Sequence, residues 1–269
     1  MTKVIIAGAA GRMGRRIGYM VNEHPDLQIA AGFERAESPD LGKDMGEIGG
    51  YGTNGIMVAE ELDAVIDQGD VIIDFTFHAA TMRIARRAAE KNKAMVIGTT
   101  GLSPENLKEL AELSRNFPCV QAPNMAVGVN VLFKLAAKVA AILGNDYDME
   151  IVEAHHRMKK DAPSGTAMKL GEVMAQAVGR DIDNVGVFAR HGIIGERTDK
   201  EIGLQTIRAG DIVGEHTVYF AGAGERLELT HRAHSRDNFA RGATLAADWV
   251  VKQPNGMYTM FDVLGLQDL

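Results

Sequence analysis

The sequence predicts an α/β chain of two domains: a doubly wound parallel sheet, then an α+β domain whose sheet is mixed and largely antiparallel. Three observations carry this. Short β-rich runs alternate with helical patterns through residue 126. The glycine cluster "GAAGRMG" sits between the first strand and the first helix. After the long apolar segment from Val127 to Leu143, the β runs are separated by glycine-bearing turns instead. The expected domains are 1–126 with 237–269, and 127–236.

"KVIIAG" reads as a strand ending in glycine, and Met13, Ile17, Met20 and Val21 then recur at helical spacing until "NEHPD". "LQIAAGFE" is the next strand. Glycines scattered between Glu37 and Gly55 predict a long mobile loop. Strands return at "DVIIDFT", "AMVIGTTG" and "CVQAPN", with helices between them near Ala80 to Lys91 and at "SPENLKELAEL", where Ser103 suits the cap and Pro104 the first turn. Val127 to Leu143 reads as a buried interdomain helix rather than a membrane one, since Lys134 and Lys138 interrupt it. A strand at "DMEIVEAH", a helix at "TAMKLGEVMAQAV" and the β runs from Leu204 to His234 build the second domain. Ala243, Ala246, Ala247 and Val250 mark a last helix expected to pack back on the first domain.

The chain has 269 residues, 24% charged and 46% hydrophobic, with a net charge of −7. Such a balance disfavours a nucleic-acid binder, which needs a basic face to neutralise phosphates. The apolar run from Val4 to Ala7 is too short for a signal-peptide core or a membrane span, so a cytoplasmic protein is expected. Cys119 is the single cysteine, and its place in a strand-like run makes it a structural thiol.

Gly8, Gly11 and Gly14 let the backbone turn tightly and approach a pyrophosphate, whose charge the helix amides and dipole would face; the spacing is one residue wider than the usual G-x-G-x-x-G. In this context the pattern is Rossmann-like. Glu34 ends the second strand about 20 residues after the last glycine, where an acidic group accepts from ribose hydroxyls and favours NAD. Arg35 follows and suits the 2′-phosphate of NADP, so the pair predicts use of both cofactors, against the alternative of a plain surface pair. Arg12 and Met13 open the helix beside this turn, although Met13 fits an ordinary core position equally well. There is no Walker-type G-x-x-x-x-G-K-[ST]. "GTTG" and "APNM" end later strands, where such sheets form their ligand crevice.

In "EAHHRMKKDAPSGTA", from Glu153 to Ala167, two histidines, an arginine and two lysines precede Ser164, Gly165 and Thr166, which open a helix. Cationic side chains beside a helix N-terminus, in an acidic protein, point to a small dianionic ligand rather than a solvated face. Gly165 permits close approach and Thr166 adds a hydroxyl. His155 and Lys159 are candidate acids, because histidine exchanges protons near neutral pH and lysine supplies a charge or a proton. A metal cluster of His155, His156, His216, His231 and His234 is disfavoured: there is no H-E-x-x-H and no cysteine pair.

Along essentially its whole length the sequence resembles the dihydrodipicolinate reductases, also called 4-hydroxy-tetrahydrodipicolinate reductases, of bacterial lysine and diaminopimelate synthesis. The motifs are "GAAGRMG", "IDFT", "GTTG", "APNMAVGVN" and, nearly diagnostic, E-x-H-H-x-x-K-x-D-A-P-S-G-T-A, present here at every fixed position. The resemblance implies NADH and NADPH as cofactors, contacted by Gly8, Ala9, Ala10, Gly11, Arg12, Met13, Glu34, Arg35, Gly98, Thr99, Thr100, Ala122, Pro123, Asn124 and Met125. It implies His155 as proton donor or acceptor, Lys159 as proton donor, and substrate held by His156, Gly165 and Thr166. No metal is expected, on the residue grounds above; the resemblance further implies a small dicarboxylate substrate and a homotetramer built through the second domain's sheet. Another amino-acid or semialdehyde dehydrogenase would explain the glycine turn and Glu34 without needing the paired histidines. A non-enzymatic NAD sensor would leave the basic segment without work.

Overall fold

The computed structural model describes residues 1–269. In chain order the first elements are β1 (Thr2–Ala7), α1 (Arg12–Asn22), β2 (Leu27–Phe33), α2 (Met45–Gly49), β3 (Val58–Ala59), β4 (Val71–Asp74), α3 (His78–Lys91), β5 (Ala94–Ile97), α4 (Pro104–Leu113) and β6 (Pro118–Gln121). Then come α5 (Val127–Leu143), β7 (Asp148–His155), α6 (Gly165–Ala177), α7 (Ile182–Val185), β8 (Gly186–Val187), β9 (Ile202–Arg208), β10 (Gly214–Gly222) and β11 (Glu225–Ala233). The chain ends with α8 (Asp237–Val250), β12 (Gly256–Tyr258) and α9 (Met260–Val263). Two compact units result, Met1–Val127 with Arg236–Gln267, and Gly128–Ser235 with Asp268–Leu269.

In the first unit all strands run parallel in the order β12-β6-β5-β4-β1-β2-β3. Apolar residues alternate between its two faces, both of them buried, as a doubly wound sheet requires. Val4, Ile6, Ile73 and Val96 pack with Ile17 and Val21 of α1 and Ala243, Ala247 and Val250 of α8. Ile5, Ile72, Met95 and Ile97 pack with Met82, Ala85 and Ala88 of α3, Leu110 of α4, and Phe117. Cys119 lies in this second layer, and burial pushes its thiol pKa up, as befits a structural residue. Ser103 caps α4 by accepting from Asn106 N–H, whose side chain in turn accepts from Ser103 N–H.

The stretch from Glu37 to Gly55 differs from the mobile loop expected. It contains α2, capped by the buried Asp44, whose carboxylate accepts backbone N–H bonds from Gly46, Glu47, Asn54 and Gly55 at 2.7–3.2 Å. Met45 is buried in the core and Tyr51 packs against it. One carboxylate with several amide donors and two apolar anchors orders a segment rich in glycine.

The second unit's sheet has the order β11-β10-β7-β9-β8. β10 is antiparallel to β7 and β11 over long registers, whereas β7, β9 and the two-residue β8 run parallel, so the sheet is mixed with most of its pairing antiparallel, as the sequence predicts. β9 and β10 are consecutive in sequence yet do not pair, because β7 lies between them. α6 packs on β7 and β9. Helix α5 buries Val129, Leu132, Phe133, Ala136 and Ala140 but exposes Leu135 and Ile142, so it is buried along one face and not throughout. By length and apolarity alone, 127–146 is also the one helical segment that meets the criteria for crossing a membrane.

Candidate active site

In the first unit, the predicted cofactor residues lie at the carboxyl ends of adjacent parallel strands. After β1, Gly8 takes φ +66° and the N–H groups of Gly8 and Ala9 both donate to Phe33 O at 3.0 and 3.1 Å. Gly11 N–H closes the turn onto Gly8 O at 2.9 Å. A Cβ at Gly14 would stand 2.1 Å from Gly8 O, so only glycine lets α1 start this close to the turn. No side chain caps α1, and its first turn has no acidic residue, so the first amide N–H groups and the positive end of the helix dipole face no side-chain carboxylate of α1. Glu34 Oε1 accepts from Ala10 N–H at 3.0 Å, bringing the end of β2 onto the same turn. Arg12 and Arg35 are exposed, while Met13 packs against the core as its helical spacing allowed.

β4 ends in Asp74, fully buried, which sequence reasoning missed. Its carboxylate accepts from Thr76 N–H (2.9 Å), Thr76 Oγ1 (2.6 Å) and Thr81 Oγ1 (2.5 Å), and burial nevertheless raises its pKa. Thr76 is thereby held against Gly8, whose added Cβ would meet its methyl at 3.0 Å. Gly98 N–H donates to Asp74 O, and Thr99 is buried beside the Asp74 carboxylate. Thr100 is exposed. After β6, Ala122 and Met125 are buried, Pro123 is exposed and Asn124 accepts from Ala126 N–H at 2.9 Å.

In the second unit the site forms around Glu153, a second residue the sequence reading did not single out. Glu153 and His155 are two apart on β7 and so share a face. The Glu153 side chain is 1% exposed, with Oε2 2.6 Å from His155 Nδ1. Arg208, at the end of β9, grips both carboxylate oxygens at 2.8 Å. Ser164 N–H (3.0 Å) and Thr206 Oγ1 (3.2 Å) also donate to Oε1. Burial alone would raise the Glu153 pKa, but the hydrogen bonds from His155, Arg208 and Ser164 outweigh it and hold it at about 2.

Behind His155 lies the buried His216, ring centroids 5.2 Å apart, with Nε2 3.1 Å from Ser164 Oγ. Burial, then the neighbouring His155, lowers its pKa to about 3, so His216 is neutral. His216 also faces His231 across β10 and β11. Lys159 Nζ is 2.8 Å from Asp161 Oδ2, and Asp161 O accepts from Arg208 at 2.7 Å, which ties the basic segment to the same arginine. Ser164 caps α6 by accepting from Ala167 N–H at 3.2 Å. A Cβ added to Gly165 would meet nothing within 4 Å, so this helix start opens on free space and its glycine is not demanded by the protein's own packing. Thr166 lies in the first turn and His156 is half-buried at the mouth of the segment.

Sequence models of two families match the chain: "Dihydrodipicolinate reductase, N-terminus" over residues 2–125 and "Dihydrodipicolinate reductase, C-terminus" over 128–264. The chain is 68% identical over 269 residues, all of both proteins, to a 4-hydroxy-tetrahydrodipicolinate reductase of Desulfotalea psychrophila. It is 55% identical over 267 residues to another of Syntrophus aciditrophicus, covering 99% of this chain and 100% of that one. Among solved structures it resembles a dipicolinate-bound dihydrodipicolinate reductase from Paenisporosarcina sp. TG-14, with TM-score 0.78, 26% identity, and 97% and 98% of the two chains covered. An amine dehydrogenase from Mycobacterium smegmatis shares the fold at TM-score 0.60 and 14% identity. With both halves matched and relatives this similar end to end, the chain belongs to the dihydrodipicolinate reductase family.

Proposed function

We infer that the chain is an NAD(P)H-dependent reductase that converts 4-hydroxy-tetrahydrodipicolinate to tetrahydrodipicolinate, with loss of water, in lysine and diaminopimelate biosynthesis. The observation that carries the reading is the cluster of His155, Lys159 and Arg208 beside the open start of α6, in a chain whose other unit carries the glycine turn and Glu34. The net reaction consumes the substrate, NAD(P)H and a proton, and releases water, NAD(P)+ and tetrahydrodipicolinate.

The first unit fits a dinucleotide. Its glycine turn approaches α1 too closely for any Cβ at Gly14, and no side chain caps the start of α1. Gly8, Ala9, Ala10, Gly11, Arg12 and Met13 would hold the pyrophosphate side; Glu34 would take ribose hydroxyls and Arg35 a 2′-phosphate, so both NADH and NADPH are accepted. Gly98, Thr99 and Thr100, with Ala122, Pro123, Asn124 and Met125, would line the nicotinamide side. When bound, NADH or NADPH supplies the hydride that reduces the substrate ring at C4.

The second unit does the rest. Gly165 and Thr166 bind one carboxylate at the α6 start, and His156 lies against the ring. His155 and Lys159 supply the proton to the ring carbon beside C4. We place the enzyme in the cytoplasm, as a biosynthetic step dependent on nicotinamide nucleotides requires, and as a homotetramer joined through the second unit's sheet, where β11 is a largely exposed edge strand. Light scattering is expected to give four times the 29.0 kDa chain mass.

The test is oxidation of NADH and NADPH followed by absorbance, with substrate made in situ from pyruvate and aspartate semialdehyde by the synthase that precedes the reductase. Substrate-dependent oxidation with both nucleotides is expected. No oxidation by folded protein that still binds NADH would overturn the reading.

A further inference from the structure

His155 is fixed on three sides. Its Nδ1 is 2.6 Å from Glu153 Oε2, its ring meets that of His216 at 75°, and its Nε2 lies over Gly214, where a Cβ would stand 3.1 Å away. The carboxylate that holds it is itself immobile, gripped by Arg208 through both oxygens and pinned by Ser164 N–H and Thr206 Oγ1. No rotamer of a surface histidine would need so many partners. We propose that Glu153, locked by Arg208, is a positioning residue that accepts the hydrogen bond of His155 Nδ1–H and so presents Nε2 as the one atom that exchanges a proton with substrate. The proposal rests on the reading that His155 is the proton donor.

The chemistry follows from the inventory of the ring. With Nδ1–H committed to a carboxylate, the neutral imidazole has its lone pair on Nε2 and the protonated one has N–H there, so one face serves both states. Arg208 has a second consequence. The guanidinium held on both carboxylate oxygens opposes the field of the carboxylate at the ring, so the two groups act on His155 with opposite sign. The charged and titratable groups around His155 are Glu153 on its own strand, Arg208 from β9, His216 from β10, and Lys159 with Asp161 from the segment that follows. Removing the carboxylate and removing the arginine must therefore move His155 in opposite directions, and loss of turnover through His155 alone separates positioning from a merely structural role.

The experiment uses the full-length protein selectively labelled with ¹³Cε1-histidine, the His155 signal being assigned by its loss in His155→Asn. In Glu153→Gln the His155 pKa is expected to fall by about one unit or more, and in Arg208→Gln to rise by a similar amount. Turnover in Glu153→Gln is expected to drop roughly 10- to 100-fold with the NADH Kd unchanged, and the same substitution made in the His155→Asn background to add less than about threefold, because the pathway through His155 is already gone. An unmoved His155 in Glu153→Gln, shifts of the same sign in both variants, or additive losses of turnover would overturn the proposal. If Glu153→Gln does not fold, Arg208→Gln decides alone, a fall or no change in the His155 pKa being the refutation. Full activity in His155→Asn would instead remove the proton-donor reading, while the titrations still report whether Glu153 and Arg208 set the ring.

Discussion

Lys159 holds its ammonium 2.8 Å from the carboxylate of Asp161, the residue whose carbonyl oxygen also receives Arg208. Hydrogen bonding to Lys159 helps keep Asp161 ionised against the burial that opposes it. The lysine is thus tethered within the basic segment that follows His155. Lys159→Ala is expected to lower kcat about 10²- to 10⁴-fold, as loss of a positioned acid does, with the NADH Kd little changed. Steady-state kinetics with a separate nucleotide titration checks it, and an almost fully active variant removes Lys159 from the chemistry.

Glu34 offers its carboxylate at the glycine turn and Arg35 follows it exposed. Glu34→Ala is expected to weaken NADH by about tenfold and NADPH by less, since the arginine remains for the 2′-phosphate. Calorimetric Kd values for both nucleotides decide; equal changes refute the division of labour.

Gly14 and Gly165 are predicted to respond to alanine in opposite ways. At Gly14 the new Cβ would lie 2.1 Å from Gly8 O, so Gly14→Ala should cost about 2–4 kcal/mol and several degrees in Tm. At Gly165 the Cβ meets no protein atom, so Gly165→Ala should melt like the wild type but raise KM for the dicarboxylate about tenfold or more. A lowered Tm in Gly165→Ala would show that its role is structural.

His216 makes stability depend on pH. Its folded pKa of about 3 lies below the ordinary 6.5, so the unfolded chain binds the proton more readily. The stability from keeping it neutral is complete above pH 6.5 and is lost as pH falls from there toward 3, about 2 kcal/mol being gone at pH 5. Glu153 adds a loss of the same sign between about pH 4.5 and 2. His216→Gln should flatten the upper part of this decline, read as Tm at pH 7.5 and pH 5. A parallel decline in the variant would assign the effect elsewhere.

What the sequence reading resolved and what it left out have physical causes. Apolar runs such as "KVIIA" and "DVIID" are long enough to declare strands, and Ser103-Pro104 is a helix start whose signal is entirely local. β3 and β8 have two residues each and β12 has three, too short for any period to show. The 37–55 stretch was misread because its order comes from Asp44 and Met45, single residues among many glycines. At the site, Glu153 was within reach of a period-2 argument from His155. Arg208 was not, because only the parallel register that sets Glu153 opposite Thr206 and His155 opposite Arg208 brings it there.

The first unit's parallel sheet takes its outermost strand, β12, and its covering helix α8 from the far end of the chain. During synthesis, β6 therefore leaves the ribosome as a bare edge, and the layer of Val4, Ile6 and Ile73 stays partly uncovered until some 130 further residues have followed. At about 5–20 residues per second that is an interval on the order of ten seconds, in which the second unit can fold while the first is still unfinished. The parallel-sheet unit begins first and is completed last, so a nascent chain has a window in which chaperones can bind its open face but the finished doubly wound fold does not yet exist.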